Sequence, residues 1–494
     1  MSVDEALALA RAQVPWWVPW WPVLMVAIAA LLGALVGRIT IAVAVRTFRR
    51  APSGVHWTER ARVATTARRI AGAGIGASIV AGALVAHTGP LGVISYGMAV
   101  TMGIFAAMIA ASLARGALED AIGLPRVPRS AASRIGLVLA LYPGIPTTVI
   151  FGFLVAELDT VSGVLLWLLG ALLLVGWMRG LAFPTLRLLG AASPPPARLT
   201  AVVARASEKV GMPPPTTLVL HARIANAYAF AFSGGLAFTR PMVDALDDTG
   251  LEAITLHELG HLREPPRIVA FRLMRVLLLY LFALTGLLYR FGLLPTALLA
   301  LAVAAIALGT RRVSSRLEAA ADAVAHEHTE DGTYALALAR IYELNLSPAS
   351  IRESVSHPPL YDRLVAAGAP PSYPRPAAPE GPGRWRYAFS VLAIVLALAV
   401  RLPIMLSSDP LVQLASDDPR PFANEQRRIA PERAIPFDVL VLASRPEAQA
   451  PREQLALDQA RAGRCADARA TIALGPVPDE TFAAVQRRCF GVAP

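Results

Sequence analysis

The sequence predicts a mainly α, polytopic helical membrane protein of about eight spans. A soluble α+β domain is set among the spans, and a small helical tail closes the chain. Three observations predict this. Of 494 residues, 55% are hydrophobic and only 16% charged, with a mean hydropathy of +0.52; a soluble chain of this length carries more charge. Apolar runs of the roughly 20 residues needed to cross a bilayer recur along the chain. Between them lie polar stretches punctuated by glycine and proline, with a period too short for a span.

The formal charge of +11 comes almost wholly from arginine, since Lys209 is the sole lysine. The arginines cluster between apolar runs, which is the pattern of membrane topology, and nucleic acid is excluded as a partner in favour of the lipid bilayer. The N-terminus carries Asp4 and Glu5, has no basic leader and no small-residue cleavage signature, and so reads as the approach to an anchor.

Candidate spans lie at 18–45, 70–88, 89–113, 134–156, 160–180, 268–288, 291–309 and 387–406. Trp16, Trp17, Trp20 and Trp21 head the first as an interfacial aromatic belt. His87-Thr88-Gly89-Pro90 is a tight turn between the second and third. Residues 46–69 hold seven arginines against the single acid Glu59, and residues 114–134 hold four more. The alternate loops are short and without arginine. By the positive-inside rule the arginine loops are cytoplasmic and the N-terminus is outside. Counting crossings then places 181–267 and 310–386 in the cytoplasm and 407–494 outside. The expected domains are a membrane region at 1–190, the first half of a soluble domain at 191–267, a transmembrane hairpin at 268–309 and the second half at 310–370. A proline-rich linker at 371–386, a last span at 387–406 and the tail at 407–494 follow.

Within the first soluble half, 197–210 reads as an amphipathic helix stopped by Gly211 and Pro213-Pro214-Pro215. A strand at 216–222 follows. NAYAFAF, a Ser233-Gly234-Gly235 turn and LAFT then read as a hairpin. Thr249-Gly-Leu-Glu252 reads as a capping box opening the next helix.

That helix carries HELGH at 257–261. Positions i and i+4 share a helix face, so His257 and His261 can aim their imidazoles at one metal. Glu258, one position round, can serve as general base towards the water that zinc acidifies to a pKa near 7. A hydrolytic zinc takes three protein ligands and keeps one position open. Beyond the hairpin, Glu318 and Asp322 lie i, i+4 on a helix of small residues that could approach the HELGH helix closely. Glu318 suits the third ligand and Asp322 an acceptor for a ligand histidine. His326, Glu327 and His328 are rivals; His326 is two turns from Glu318, and 326–331 reads better as an exposed polar helix end.

HELGH, the Glu318/Asp322 pair after Ser315-Arg316, SHPPLYDRL at 356–364 and Asn226-Ala227-Tyr228-Ala229 ahead of HELGH occur in this order. Together they resemble the integral-membrane zinc metallopeptidases that include HtpX and the type I CAAX prenyl endopeptidase (metallopeptidase family forty-eight), over residues 195–370. The Ser-Arg pair lies one residue closer to its glutamate than in the usual form, which touches the arginine and not the ligand. The resemblance implies a zincin-type peptidase domain with one Zn²⁺ per chain held by His257, His261 and Glu318. It implies that His357 donates to the oxyanion of the tetrahedral intermediate; alone, His357 would read as a turn histidine before Pro358-Pro359. Arg363 would organise that site or its substrate. Asn226, Ala227 and Tyr228 would bind an extended polypeptide by strand addition.

The tail holds the only two cysteines, Cys465 and Cys489; LALDQARAGRCADARATIA (455–473) and DETFAAVQRRCFG (479–491) each read as one short helix, around a GPVPDE turn. An outside location predicts a disulfide between them. The functional expectation is a zinc endopeptidase of a bacterial plasma membrane, its site facing the cytoplasm, cleaving membrane or membrane-associated polypeptides, with quality control as a role by analogy. One alternative is a signalling protease with an outside sensor, like the β-lactam receptors, but that expects a penicillin-binding domain with SxxK and the tail has no lysine. The other is an inactive scaffold, which expects a damaged site.

Overall fold

The computed structural model describes residues 1–52, 54–86, 91–92, 96–125, 160–270, 276, 280–281, 293–351, 359–416, 418–444 and 448–491. The described residues are mainly helical, with one small sheet among them. Among the described residues five helices are long and apolar enough to cross a membrane: Trp17–Arg49, Trp57–Val85, Met98–Ile122, Val161–Leu188 and Arg384–Met405. The second is longer than the expected 70–88 because its helix runs back through Arg60, Arg62, Arg68 and Arg69. The 291–309 run forms the first half of a helix, Leu293–Glu327, that continues through Glu318 and Asp322. The 87–90 turn, the 134–156 run and most of 268–288 lie outside the described residues.

By contacts the chain divides into two units. One comprises Met1–Gly37, Gly74–Leu113 and Tyr387–Pro494, and the other Arg38–Ala73 and Ala114–Arg386. The first has its own apolar cluster, in which Ala6, Ala10 and Val18 meet Leu414, Phe422 and Phe437. Its C-terminal helices are Pro431–Ser444, Gln449–Arg461, Cys465–Ala473 and Asp479–Phe490. The run expected as one helix across Cys465 is two, broken at Gly463, whose φ of +77° suits glycine far better than other residues. Cys465 and Cys489 are joined by a disulfide, with Cα atoms 5.5 Å apart.

The second unit holds the α+β domain. Its strands are β1 (Ala192–Ser193), β2 (Thr216–Leu220), β3 (Ala227–Phe230) and β4 (Gly235–Thr239), in sheet order β1-β2-β4-β3. The expected hairpin is the antiparallel β3–β4 pair, while β2 and β4 run parallel. Strand β4 lies between β2 and β3 and is buried along its whole length; among the described residues β3 is the edge. The amphipathic helix forms at Ala197–Lys209 and buries Leu199, Val202, Val203 and Ala206 against β4's Phe238 and the HELGH helix, Asp248–Leu262. The HELGH helix is apolar on nearly every face because it runs through the core rather than over it. Its cap differs from expectation. Asp247 is the N-cap and accepts from the Gly250 N–H at 2.8 Å, so Thr249 sits inside the first turn. Glu252 instead pairs with Arg205 at 3.2 Å and with Lys209.

Candidate metal centre

The HELGH helix and the Leu293–Glu327 helix pack without a gap where the site forms. A Cβ added at Gly260 would lie 2.9 Å from the Ala321 Cα and 3.2 Å from its Cβ. Only a glycine facing an alanine allows that approach, and it brings the next turn of the second helix, with Glu318, onto the two histidines. Glu318 Oε2 lies 3.8 Å from His257 Nε2, and Oε1 lies 3.7 Å from His261 Nε2. One donor atom from each of His257, His261 and Glu318 lies within 4.8 Å of the others, so the three could hold one metal ion. The imidazoles stand nearly perpendicular, at 89°, with centroids 4.9 Å apart.

The histidines are oriented through their other nitrogens. His257 Nδ1 is 3.0 Å from Asp322 Oδ1 and 2.9 Å from the Tyr334 hydroxyl. That hydroxyl donates to Asp322 at 2.6 Å and accepts from Arg363 Nη2 at 2.5 Å. With its proton directed at Asp322, the Tyr334 oxygen faces His257 as an acceptor. Nδ1 therefore carries the ring proton, and Nε2 keeps its lone pair for the space beside Glu318. The Tyr334 ring also stacks on His257, at 17° and 5.6 Å. His261 Nδ1 lies 3.1 Å from Glu264 Oε1, which fixes the second histidine in the same sense.

Burial works against a charged Asp322, but the hydrogen bond with His257 and the guanidinium of Arg363 hold its carboxyl well below the usual carboxylate range. Burial also opposes a charged His261, yet the Glu264 hydrogen bond and the charges of Glu258 and Glu318 raise it above an ordinary histidine. Glu258 is buried beside the cluster. Burial pushes its carboxyl up, against the pull of both histidines and a hydrogen bond from the Ala229 N–H. A raised carboxyl pKa is what a proton-accepting group working near neutrality needs.

That last contact ties the edge strand to the site. The Thr239 N–H donates to the Asn226 carbonyl at 2.9 Å, and the Asn226 N–H donates to Thr239 Oγ1 at 2.8 Å. By the alternation of antiparallel ladders, Tyr228 and Phe230 bond β4, whereas Ala227 and Ala229 face away from it, where Glu258 takes the Ala229 N–H.

The structure thus brings together His257, Glu258, His261, Glu318, Asp322 and Arg363. It places Asn226, Ala227 and Tyr228 at the start of the edge strand. Arg363 is spent on Asp322, through Nε at 2.9 Å and a second bond from Nη2, and on Tyr334. His357 lies outside the described residues. The rivals His326 and Glu327 are exposed, and the cluster does not include them. Two residues escaped the sequence reading. Glu264 lies one turn past His261, inside the stretch that carried the motif, and its spacing could have found it. Tyr334, 77 residues from His257, has no spacing signal.

Residues 195–370 match the family model for Peptidase family M48, the stretch over which the motifs carry their resemblance. The crystal structure of S. mikatae Ste24p aligns over 72% of this chain and 99% of that one, at 16% identity and a TM-score of 0.44. No curated protein matches the chain significantly. A peptidase-family match over the residues that build a His/His/Glu cluster, in a chain with membrane-length helices, supports a membrane metalloendopeptidase.

Proposed function

We propose that this chain, with its match to a peptidase family, is a membrane-embedded zinc endopeptidase that hydrolyses membrane or membrane-associated polypeptides. One observation carries the reading: two imidazole Nε2 atoms and the Glu318 carboxylate converge on one point, with buried Glu258 beside it. The donor set fits zinc, which favours two histidines and a carboxylate with a fourth position open. When held by His257, His261 and Glu318, zinc supplies Lewis acidity that acidifies water and polarises a carbonyl.

The chain's own residues do the rest. Glu258 takes the proton of the attacking water and returns it to the leaving amine. An extended polypeptide pairs with the outer side of β3 through the main chain of Ala227 and the carbonyl of Ala229, whose N–H Glu258 takes, with Asn226 and Tyr228 flanking it. Asp322, Tyr334 and Arg363 hold His257 in its ligating tautomer, which makes Arg363 a positioning residue. His357 donates to the developing oxyanion. Residues 191–267 and 310–370 act as two halves of one peptidase domain joined by a transmembrane hairpin, on the cytoplasmic face of a bacterial plasma membrane. Removal of damaged membrane proteins is the role proposed by analogy.

The test is metal content and cleavage of casein or a membrane protein by the purified full chain. Glu258→Gln is expected to keep stoichiometric zinc and to lose cleavage by about 10²-fold or more, at the low end of what acid–base groups contribute. Full activity in Glu258→Gln ends the peptidase reading. Glu318→Ala is expected to lose zinc, and stoichiometric zinc retained there moves the third ligand elsewhere.

A further inference from the structure

The entry to β3 is fastened by groups that the chemistry above does not use. Asn345 follows the helix Thr333–Leu344 and sets its amide against the main chain of Ala225. Its Oδ1 accepts from the Ala225 N–H at 2.8 Å, and its Nδ2 donates to the Ala225 C=O at 2.7 Å. Two bonds to one residue reproduce with a side chain the pairing a neighbouring strand would give. Asn345 is itself fixed, since Arg68 donates to its carbonyl at 2.5 Å and to that of Leu346 at 2.9 Å.

The residues on either side of Ala225 are also held. The Asn226 N–H donates to Thr239 Oγ1 at 2.8 Å. Arg223 donates to the Pro125 carbonyl at 3.0 Å and pairs with Glu119 at 3.2 Å and with Asp120. Residues 223–226 are therefore anchored from three elements, directly before the strand whose Ala229 N–H reaches Glu258.

The helix that ends at Asn345 begins at the metal centre. Tyr334 in its first turn touches His257, while Asn345 at its far end grips Ala225. Twelve helical residues thus join the group that orients a metal-facing histidine to the strand that faces the substrate. We propose that Asn345 is a positioning residue for proteolysis: its double hydrogen bond to Ala225 sets where β3 lies against the metal centre, and so the register in which an extended polypeptide meets Glu258. The inference rests on the peptidase reading and assigns a residue outside it.

The experiment uses the full chain in detergent, loaded with zinc, and a quenched fluorescent peptide together with casein. KM, kcat, zinc content and cleavage positions are compared for wild type, Asn345→Ala, Asn345→Asp and Glu258→Gln. Loss of two main-chain hydrogen bonds is expected to raise KM about tenfold in Asn345→Ala, with kcat within about threefold of wild type. Zinc stays stoichiometric, and casein cleavage spreads to bonds neighbouring the preferred ones. Asn345→Asp keeps the acceptor for the Ala225 N–H but sets a carboxylate oxygen against the Ala225 carbonyl, so its KM rises at least as far as in Asn345→Ala. A KM and cleavage pattern like wild type in Asn345→Ala, or a loss of zinc along with activity, overturns the proposal. If Asn345→Ala is not recovered folded, the near-isosteric Asn345→Asp decides on the same criteria. Full activity in Glu258→Gln is a separate result and strikes the peptidase reading alone.

Discussion

Tyr334 carries one hydroxyl that meets His257, Asp322 and Arg363 at once, and it is buried with its pKa raised well above that of an ordinary tyrosine, chiefly by desolvation. It therefore stays a donor to Asp322 and an acceptor towards His257 at any working pH. Tyr334→Phe keeps the ring that stacks on His257 and removes only the oxygen. Outer partners of metal-ligating histidines are each worth about 10- to 100-fold in metal affinity, so the zinc dissociation constant is expected to rise by that factor. Chelator competition measures it; an affinity within twofold of wild type would show that Asp322 alone orients His257. Legibility divides along the same line. His257, Glu258 and His261 follow from helix periodicity, and Glu318 with Asp322 from a second i, i+4 pair on a small-residue helix. Tyr334 and Asn345 act across tens of residues on main-chain and side-chain atoms no spacing encodes, so only the fold reveals them.

Two helices meeting at Gly260 and Ala321 make the site possible, because Glu318 reaches the histidines only if the axes stay close. Gly260→Val places two methyl groups where a single Cβ would already overlap the facing backbone. The helices must part, at a cost of about 1–3 kcal/mol for overpacking, and Glu318 withdraws. The expected outcome is substoichiometric zinc and loss of cleavage in a protein that still inserts and is mostly helical, read by metal analysis and circular dichroism. Stoichiometric zinc in Gly260→Val would mean that the contact is slack. At this scale the sequence announced the elements better than their ends. The amphipathic helix, the β3–β4 hairpin and the HELGH helix stand where periodicity put them. The cap moved from Thr249 to Asp247 because several side chains near a helix start can accept from its free N–H groups, and Glu252 is drawn off by Arg205 and Lys209. The tail helix broke at Gly463 because apolar periodicity continues through a turn that only the backbone angle discloses.

Across the whole chain, the orientation rests on charge: the arginines of 46–69 and 114–134 lead the positive-inside rule to expect 181–267 in the cytoplasm and the tail outside. That expectation can be measured. Ala201, on the solvent side of the amphipathic helix, and Ala470, in the tail, are both exposed. With Cys465 and Cys489 tied in their disulfide, a single cysteine at Ala201→Cys or Ala470→Cys is the reactive thiol in each variant. A membrane-impermeant maleimide on cells with an open outer envelope is expected to label Ala470→Cys and to spare Ala201→Cys until the membrane is permeabilised. The reverse pattern would put the HELGH helix outside. The disulfide would then have to persist in a reducing compartment, where such bonds are rare, so the two halves of the experiment constrain each other.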